Sequence, residues 1–308
     1  MRDLSRWASF SLAVFLGGCS SAPPPATTKE ISESRKQIQV VDLPKEFLDP
    51  VDLGSDSGAK NVLEKRDSFN VDGSTLTIAA VGANRSVTLG FNTLKLLNGA
   101  QIITNGNDLT IVALNLEFNN SGGIHPFLGD SLKAHQDSPG TSAGKVEIYA
   151  FNKVVGSIQV SLAGQDGGDG LPGAPGAPGS PGPRGANGVD GILDCLHGGT
   201  DGGQGGTGGT GAAGGPGRPG GAGADLILHG LAGRTPNDKL FLFDGPAGHG
   251  GSGGPGGSGG PGGPGGEGGS GSVHCGGGHG GAQGASGTAG RPGDKVPDGK
   301  QDGKKLLK

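Results

Sequence analysis

From Phe69 to Ala163 the chain alternates apolar with polar or small residues in short runs. Leu76-Thr77-Ile78, Ser86-Val87-Thr88-Leu89, Thr93-Leu94-Lys95-Leu96, Gln101-Ile102-Ile103-Thr104, Leu109-Thr110-Ile111-Val112, Lys145-Val146-Glu147-Ile148-Tyr149 and Ser157-Ile158-Gln159-Val160 all show it. That period of two predicts strands with one buried face. Asn98-Gly99 and Asn105-Gly106 punctuate them as tight turns. The spacing suits a short β-solenoid or a sandwich. Beyond this region only Leu226-Ile227-Leu228 and Leu240-Phe241-Leu242-Phe243 are apolar, flanking Thr235-Pro236-Asn237-Asp238. They read as a hairpin that docks on the β domain. Residues 19–68 are polar, with Pro23-Pro24-Pro25 and Glu33-Ser34-Arg35-Lys36, and read as a flexible N-terminal tether, with room for a short helix around Lys29 to Gln39.

The chain starts differently. Arg2 and Arg6 precede the apolar run Ala8 to Leu16, and Leu16-Gly17-Gly18-Cys19 follows. A charged start, an apolar core too short to span a bilayer and small residues at a cut form a signal peptide, here residues 1–18. The segment resembles the bacterial lipoprotein signal. The resemblance implies a diacylglycerol-modified Cys19 thiol, an acylated Cys19 amine and stable attachment to a lipid bilayer. Ser20 stands where an aspartate would indicate inner-membrane retention, so the resemblance implies the outer membrane.

Composition then splits the chain. Only 15 of its 71 glycines precede Gly164. From there four blocks, Gly170 to Gly191, Gly202 to Gly223, Gly250 to Gly271 and Gly278 to Gly293, carry glycine at every third position, many with proline between. Such a chain is extended, rises about 3.1 Å per residue and has one edge bare of side chains, which lets another backbone approach closely. Gly170-Leu171-Pro172-Gly173-Ala174-Pro175 resembles collagen, which implies a homotrimeric stalk. The blocks also resemble the polyglycine II bundles of glycine-rich insect antifreeze proteins and phage tail-tip adhesins, where one chain folds back on itself. Breaks at 192–199, 225–249 and 272–277, a third block with glycine on two edges, and nearly equal block lengths favour the single-chain form. The run from Leu94 to Ile111 is similar to the coils of right-handed parallel β-helix proteins, which favours the solenoid over the sandwich. The expected fold is therefore mainly β: a β-solenoid or sandwich domain over 69–163, followed by a glycine-rich polyglycine II-type helical bundle over 164–293 and a solvated tail over 294–308.

Candidate chemistry is sparse. A net charge of -4 gives no basic footprint for nucleic acid. There is no nucleophile elbow, phosphate loop or dinucleotide fingerprint, and Asp166-Gly167-Gly168-Asp169-Gly170 lacks calcium-loop spacing. Asp130 and Asp137 lie near His125 and His135 in sequence but read as solvated loop residues. Neither a catalytic residue nor a cofactor is expected. If the blocks run out and back twice, Cys195 and Cys275 meet at the far end, where an exported chain favours a disulfide. His197, His274 and His279 leave a Cys2His2 metal site as the alternative. The expected function is a non-enzymatic, lipid-anchored structural or adhesive module, monomeric, with a glycan or protein surface as ligand. A glycan-binding or carbohydrate-active β-helix is the alternative; Thr207 and Thr210 are too few for a regular ice-binding face.

Overall fold

A computed structural model describes residues 37–39, 43–78, 85–119, 122–230 and 238–308. Strand β1 (Gln37–Gln39) is followed by helices α1 (Lys45–Leu48) and α2 (Asp56–Leu63). Strands then come in pairs: β2 (Phe69–Asp72) with β3 (Thr75–Thr77), β4 (Ser86–Leu97) with β5 (Gln101–Ile103), β6 (Asp108–Phe118) with β7 (Gly123–His125), and β8 (Val146–Val155) with β9 (Ile158–Ser161). The glycine half adds β10 (Val189–Asp190), β11 (Cys195–His197), β12 (Leu226–His229), β13 (Phe241–Asp244) and β14 (Lys305–Leu307).

One sheet has the order β1-β3-β5-β7-β9-β13 and the other β14-β12-β8-β6-β4-β2, with every neighbour parallel. Each coil gives one strand to each sheet, which makes the body a parallel β-solenoid and not a sandwich of antiparallel sheets. Like residues stack between coils, as in Leu76, Ile102, Ile124 and Val160, or Leu89, Ile111, Ile148 and Leu228. These side chains form the core. The Asn-Gly pairs sit at φ 51 and 78 (Asn98-Gly99) and 50 and 74 (Asn105-Gly106). In a hairpin such a pair reverses the chain; here it turns a solenoid corner between the two sheets.

Several expectations are corrected. The flexible tether does not extend to residue 68: Leu43, Phe47, Val51, Ala59 and Leu63 are buried. Phe47 packs on Phe69 and Phe91, and α2 covers Val112, Leu114 and Phe151 on the outer face of β6 and β8. Ser55 caps α2 by accepting from the Gly58 N–H. The apolar islands of the glycine half are not a hairpin. β12 pairs with β8 and β13 with β9, so they form a further coil. Nor is the tail free in solvent, since β14 continues the second sheet beside β12. The turn at Thr235 to Asn237 lies outside the described residues, as do the stretch 29–36 and the signal segment 1–18.

The largest correction concerns the glycine-rich helical bundle expected after the β domain. Among the described residues the α-helices are α1 and α2, both between β1 and β2; the glycine half holds only the 3-10 turn Asp238–Leu240. Its blocks are extended segments without regular internal hydrogen bonds. They do not follow the solenoid but interrupt it, one pair between β9 and β12 and another between β13 and β14. The physical reason lies in where the amides go. The glycine N–H at every third position of the first segment, from Gly167 to Gly188, donates to the third, as in Gly173 to Pro255 and Gly182 to Pro264, at 2.8 to 2.9 Å. The second segment donates backwards to the first (Gly209 to Ala177, 2.7 Å) and forwards to the fourth (Gly208 to Ala285, 2.9 Å). The third donates to the second (Gly260 to Gly209) and the fourth to the third (Gly287 to Gly260), both at 2.8 Å. The first and third segments are parallel, as are the second and fourth, and each outgoing segment is antiparallel to its return. Together they form a four-segment arm.

Glycine on two edges of the third segment now has its reason. A Cβ on Gly257 would stand 2.0 Å from the Ala174 carbonyl of the first segment, and one on Gly256 would stand 2.1 Å from the Gly290 carbonyl of the fourth. Prolines fit the same pattern. Pro255, Pro261 and Pro264 accept bonds through their carbonyls and have no N–H to satisfy. Where a non-proline donor occurs near a segment end, an acid or amide takes it: Asp166 accepts from His249 N, Asp169 from Ser252 N, and Asn187 from Ser270 N. Asp298 and Asp302, in the supposedly solvated tail, accept from Gly250 N and Ala247 N.

Candidate functional site: the distal end of the arm

The two outgoing segments end in turns held side by side. The first turn is an antiparallel ladder of β10 and β11, Val189 opposite His197 and Asp190 opposite Cys195. Gly191 N closes it by donating to the Asp194 carbonyl at 2.7 Å. In the second turn Ser272 N donates to the Cys275 carbonyl at 2.9 Å. Asp190 joins the two, accepting from Val273 N at 3.0 Å, His274 N at 2.9 Å and the Ser272 hydroxyl. The Ser272 hydroxyl first, with the His274, Val273 and Cys275 amides, holds the Asp190 carboxyl below the ordinary carboxylate range. The Sγ atoms of Cys195 and Cys275 stand 2.02 Å apart, at disulfide distance, across a sequence separation of 80.

This braced end presents aliphatic side chains to solvent. Ile192 is 95% exposed, Leu193 88%, Leu196 60% and Val273 88%. The arm below exposes mainly glycine, proline, serine and other small residues; apart from Leu171 near its base, its large aliphatic side chains are exposed at the distal end. Among the described residues no group of three or more His, Cys, Asp or Glu side chains could hold a metal ion. His279, one of the alternative ligands, lies a step back from the turn, its N–H donating to Asp201 at 2.6 Å.

The acid–base candidates do not converge. Asp130 and His135 line an open pocket at the base of the arm, with Ser131, Lys133, Thr141 and Gln165. Asp137 instead pairs with Arg218 at 2.7 Å, and Lys133 with Asp169 at 2.7 Å. His125 belongs to β7; burial lowers its pKa, partly offset by Asp244. Sequence reasoning missed a second titratable group on the outer face of β8 and β12. There the Tyr149 and His229 rings stack with centroids 3.8 Å apart, and Glu147 lies 2.8 Å from Lys145 and 3.7 Å from His229. Burial lowers the His229 pKa, against Glu147, which raises it. The alternation of Val146 and Ile148 with Glu147 and Tyr149 marks the outward face, but only the pairing of His229 with Tyr149 completes the group. Cys19 lies outside the described residues.

The chain matches no protein-family profile, no curated protein and no solved structure.

Proposed function

We propose that the protein is an exported lipoprotein, held at the outer membrane through Cys19, whose arm is a non-enzymatic structural and adhesive module. The signal segment and Leu16-Gly17-Gly18-Cys19 support the anchor. The single observation behind adhesion is the cluster of Ile192, Leu193, Leu196 and Val273 at the far end of the arm. A monomer does not leave several large aliphatic side chains bare on one turn region without cost, and such patches mark contact sites. Monomeric display is supported by the backbone: every segment finds its hydrogen-bond partners within the same chain.

The test is attachment of cells to alkyl-coated glass. Cells bearing the wild-type chain should attach, and a variant with Ile192→Ser, Leu193→Ser, Leu196→Ser and Val273→Ser should not. Equal attachment would reject the adhesive reading, and Cys19→Ser should abolish it by releasing the chain from the membrane. The open pocket at the base of the arm, which brings Asp130, Ser131, Lys133, His135 and Gln165 together, favours glycan binding as a second reading. A glycan array probed with wild type and Gln165→Ala checks it.

A further inference from the structure

We infer that the distal end of the arm inserts into the apolar layer of an apposed lipid bilayer. The inference rests on the adhesive reading and names its partner. Three observations select lipid over a protein groove.

The first is shape. Ile192, Leu193 and Val273 keep 88 to 95% of their surface in solvent, so they project from the turns and do not line a concavity. A protruding set needs a surface that closes around it, and a fluid hydrocarbon layer does so without prior fit. The second is size. Four aliphatic side chains offer roughly 500 Å², well short of the about 800 Å² per partner of a standard protein interface. In lipid, complementarity is not required, and each projecting aliphatic group contributes independently.

The third is charge. Between Val189 and Gly199, and between Ser272 and His279, there is no lysine or arginine. The ionised groups there are Asp190, whose carboxylate is consumed by the opposite turn, and Asp194. The nearest cation, Arg184, lies below the turns, where its guanidinium is engaged by Ser270 and Glu267, so contact at the tip itself must come from the aliphatic side chains. The same carboxylates predict a preference for neutral over anionic lipid. Rigidity helps: the cystine and the Asp190 bonds hold both turns, so little conformational freedom remains to be lost on insertion.

The full acylated chain, reconstituted in phosphatidylcholine vesicles, should cluster added protein-free phosphatidylcholine vesicles. The four-serine variant should lose at least tenfold of that clustering. A direct reading comes from Ile192→Trp. The chain's only tryptophan, Trp7, falls in the signal segment, so the introduced indole reports the turn. With brominated phosphatidylcholine confined to the added vesicles, its fluorescence should be quenched; replacing half of that lipid by phosphatidylglycerol should not increase quenching. Absence of both clustering and quenching overturns the inference, as does clustering that requires phosphatidylglycerol. If either occurs while the four-serine variant still loses attachment to alkyl-coated glass, the partner is a protein and the adhesive reading stands. If attachment is also unchanged, both readings fall.

Discussion

Replacing Gly256 by alanine is the smallest perturbation that addresses the close packing of the arm. The positive-φ glycines among the described residues end at Gly156, so the arm's glycines are not there for a left-handed backbone. Alanine can adopt the conformation, and any cost comes from contact. The added Cβ would lie 2.1 Å from Gly290 O, 2.4 Å from Gly290 C and 2.8 Å from Arg291 O, all backbone. An ordinary carbon–oxygen contact is about 3.3 Å, so the third and fourth segments must part by roughly 1 Å. The Gly290 N to Gly257 O bond, now 2.8 Å, would leave hydrogen-bonding range, and its neighbours Gly287 to Gly260 and Gly293 to Gly254 would stretch with it. Three bonds at about 1 kcal/mol each, less about 0.5–1 kcal/mol gained by restricting the unfolded chain, leave a loss of about 2 kcal/mol. Amide hydrogen exchange by NMR reads this locally, as a loss of about 30-fold in protection at Gly287, Gly290 and Gly293. Ser258→Ala, on an exposed side chain of the same segment, should leave those amides unchanged. Unaltered protection in Gly256→Ala would refute the reasoning.

Removing the cystine with Cys195→Ser and Cys275→Ser should destabilise the arm by up to about 4.5 kcal/mol in the chain-entropy description, for its loop of about 80 residues; thermal melts of oxidised and variant protein check it. Gly90→Ala should destabilise the junction of helices and solenoid by about 2 kcal/mol, because its Cβ would meet the Arg66 guanidinium that now donates to Gly90 O and Asp49 O; denaturant midpoints would show it. His125 and His229 have folded pKa values lowered by burial below the ordinary value of about 6.5. The unfolded chain binds their protons first, so their contribution is fully present above that value and is lost as pH falls from it towards the folded pKa values. Replacing both by glutamine should flatten the decline in stability measured between neutral and mildly acidic pH.

The strand region was legible because its alternation reports which side chains are buried, and the mainly β class follows from it. The solenoid's length was not. Coil neighbours Val146 and Leu226 are 80 residues apart, and Leu226 and Lys305 are 79 apart, so the last strands look isolated within glycine-rich chain. The helices α1 and α2 were hidden by the polar character of 43–68, where a few buried residues such as Phe47 and Leu63 secure each element. The aliphatic end of the arm was visible as Ile192-Leu193 within a break of the repeat. Its exposure was not, since an apolar pair in sequence is more often buried than bare.

Register explains how a glycine-rich arm attains one structure. Glycine loses more conformational freedom on folding than any other residue, and three-residue repeats can slide past one another with little penalty. The solenoid removes that freedom at the base. β9 and β13 pair at an offset of 83 residues, from Ile158 with Phe241 to Ser161 with Asp244. The same offset continues along the arm: Asp166 accepts from His249 N, Asp169 from Ser252 N, and Asp190 from Val273 N at the distal end. The second and fourth segments begin in the same way from β12 and β14, but carry one adjustment. Gly223 donates to Gln301, 78 residues on, whereas Gly217 donates to Asp294, 77 residues on. The fourth segment absorbs the extra residue between Gly299, which donates to Gly248, and Gly303, which donates to Gly245. The irregularity therefore sits next to the sheet, where β14 fixes the chain, and the regular repeat is preserved outwards. Strand pairing sets which glycine meets which carbonyl at one end, and Asp190 with the cystine sets it at the other. A slip by one residue anywhere between them would drive a side chain into a backbone, as the 2.0 Å approach at Gly257 shows.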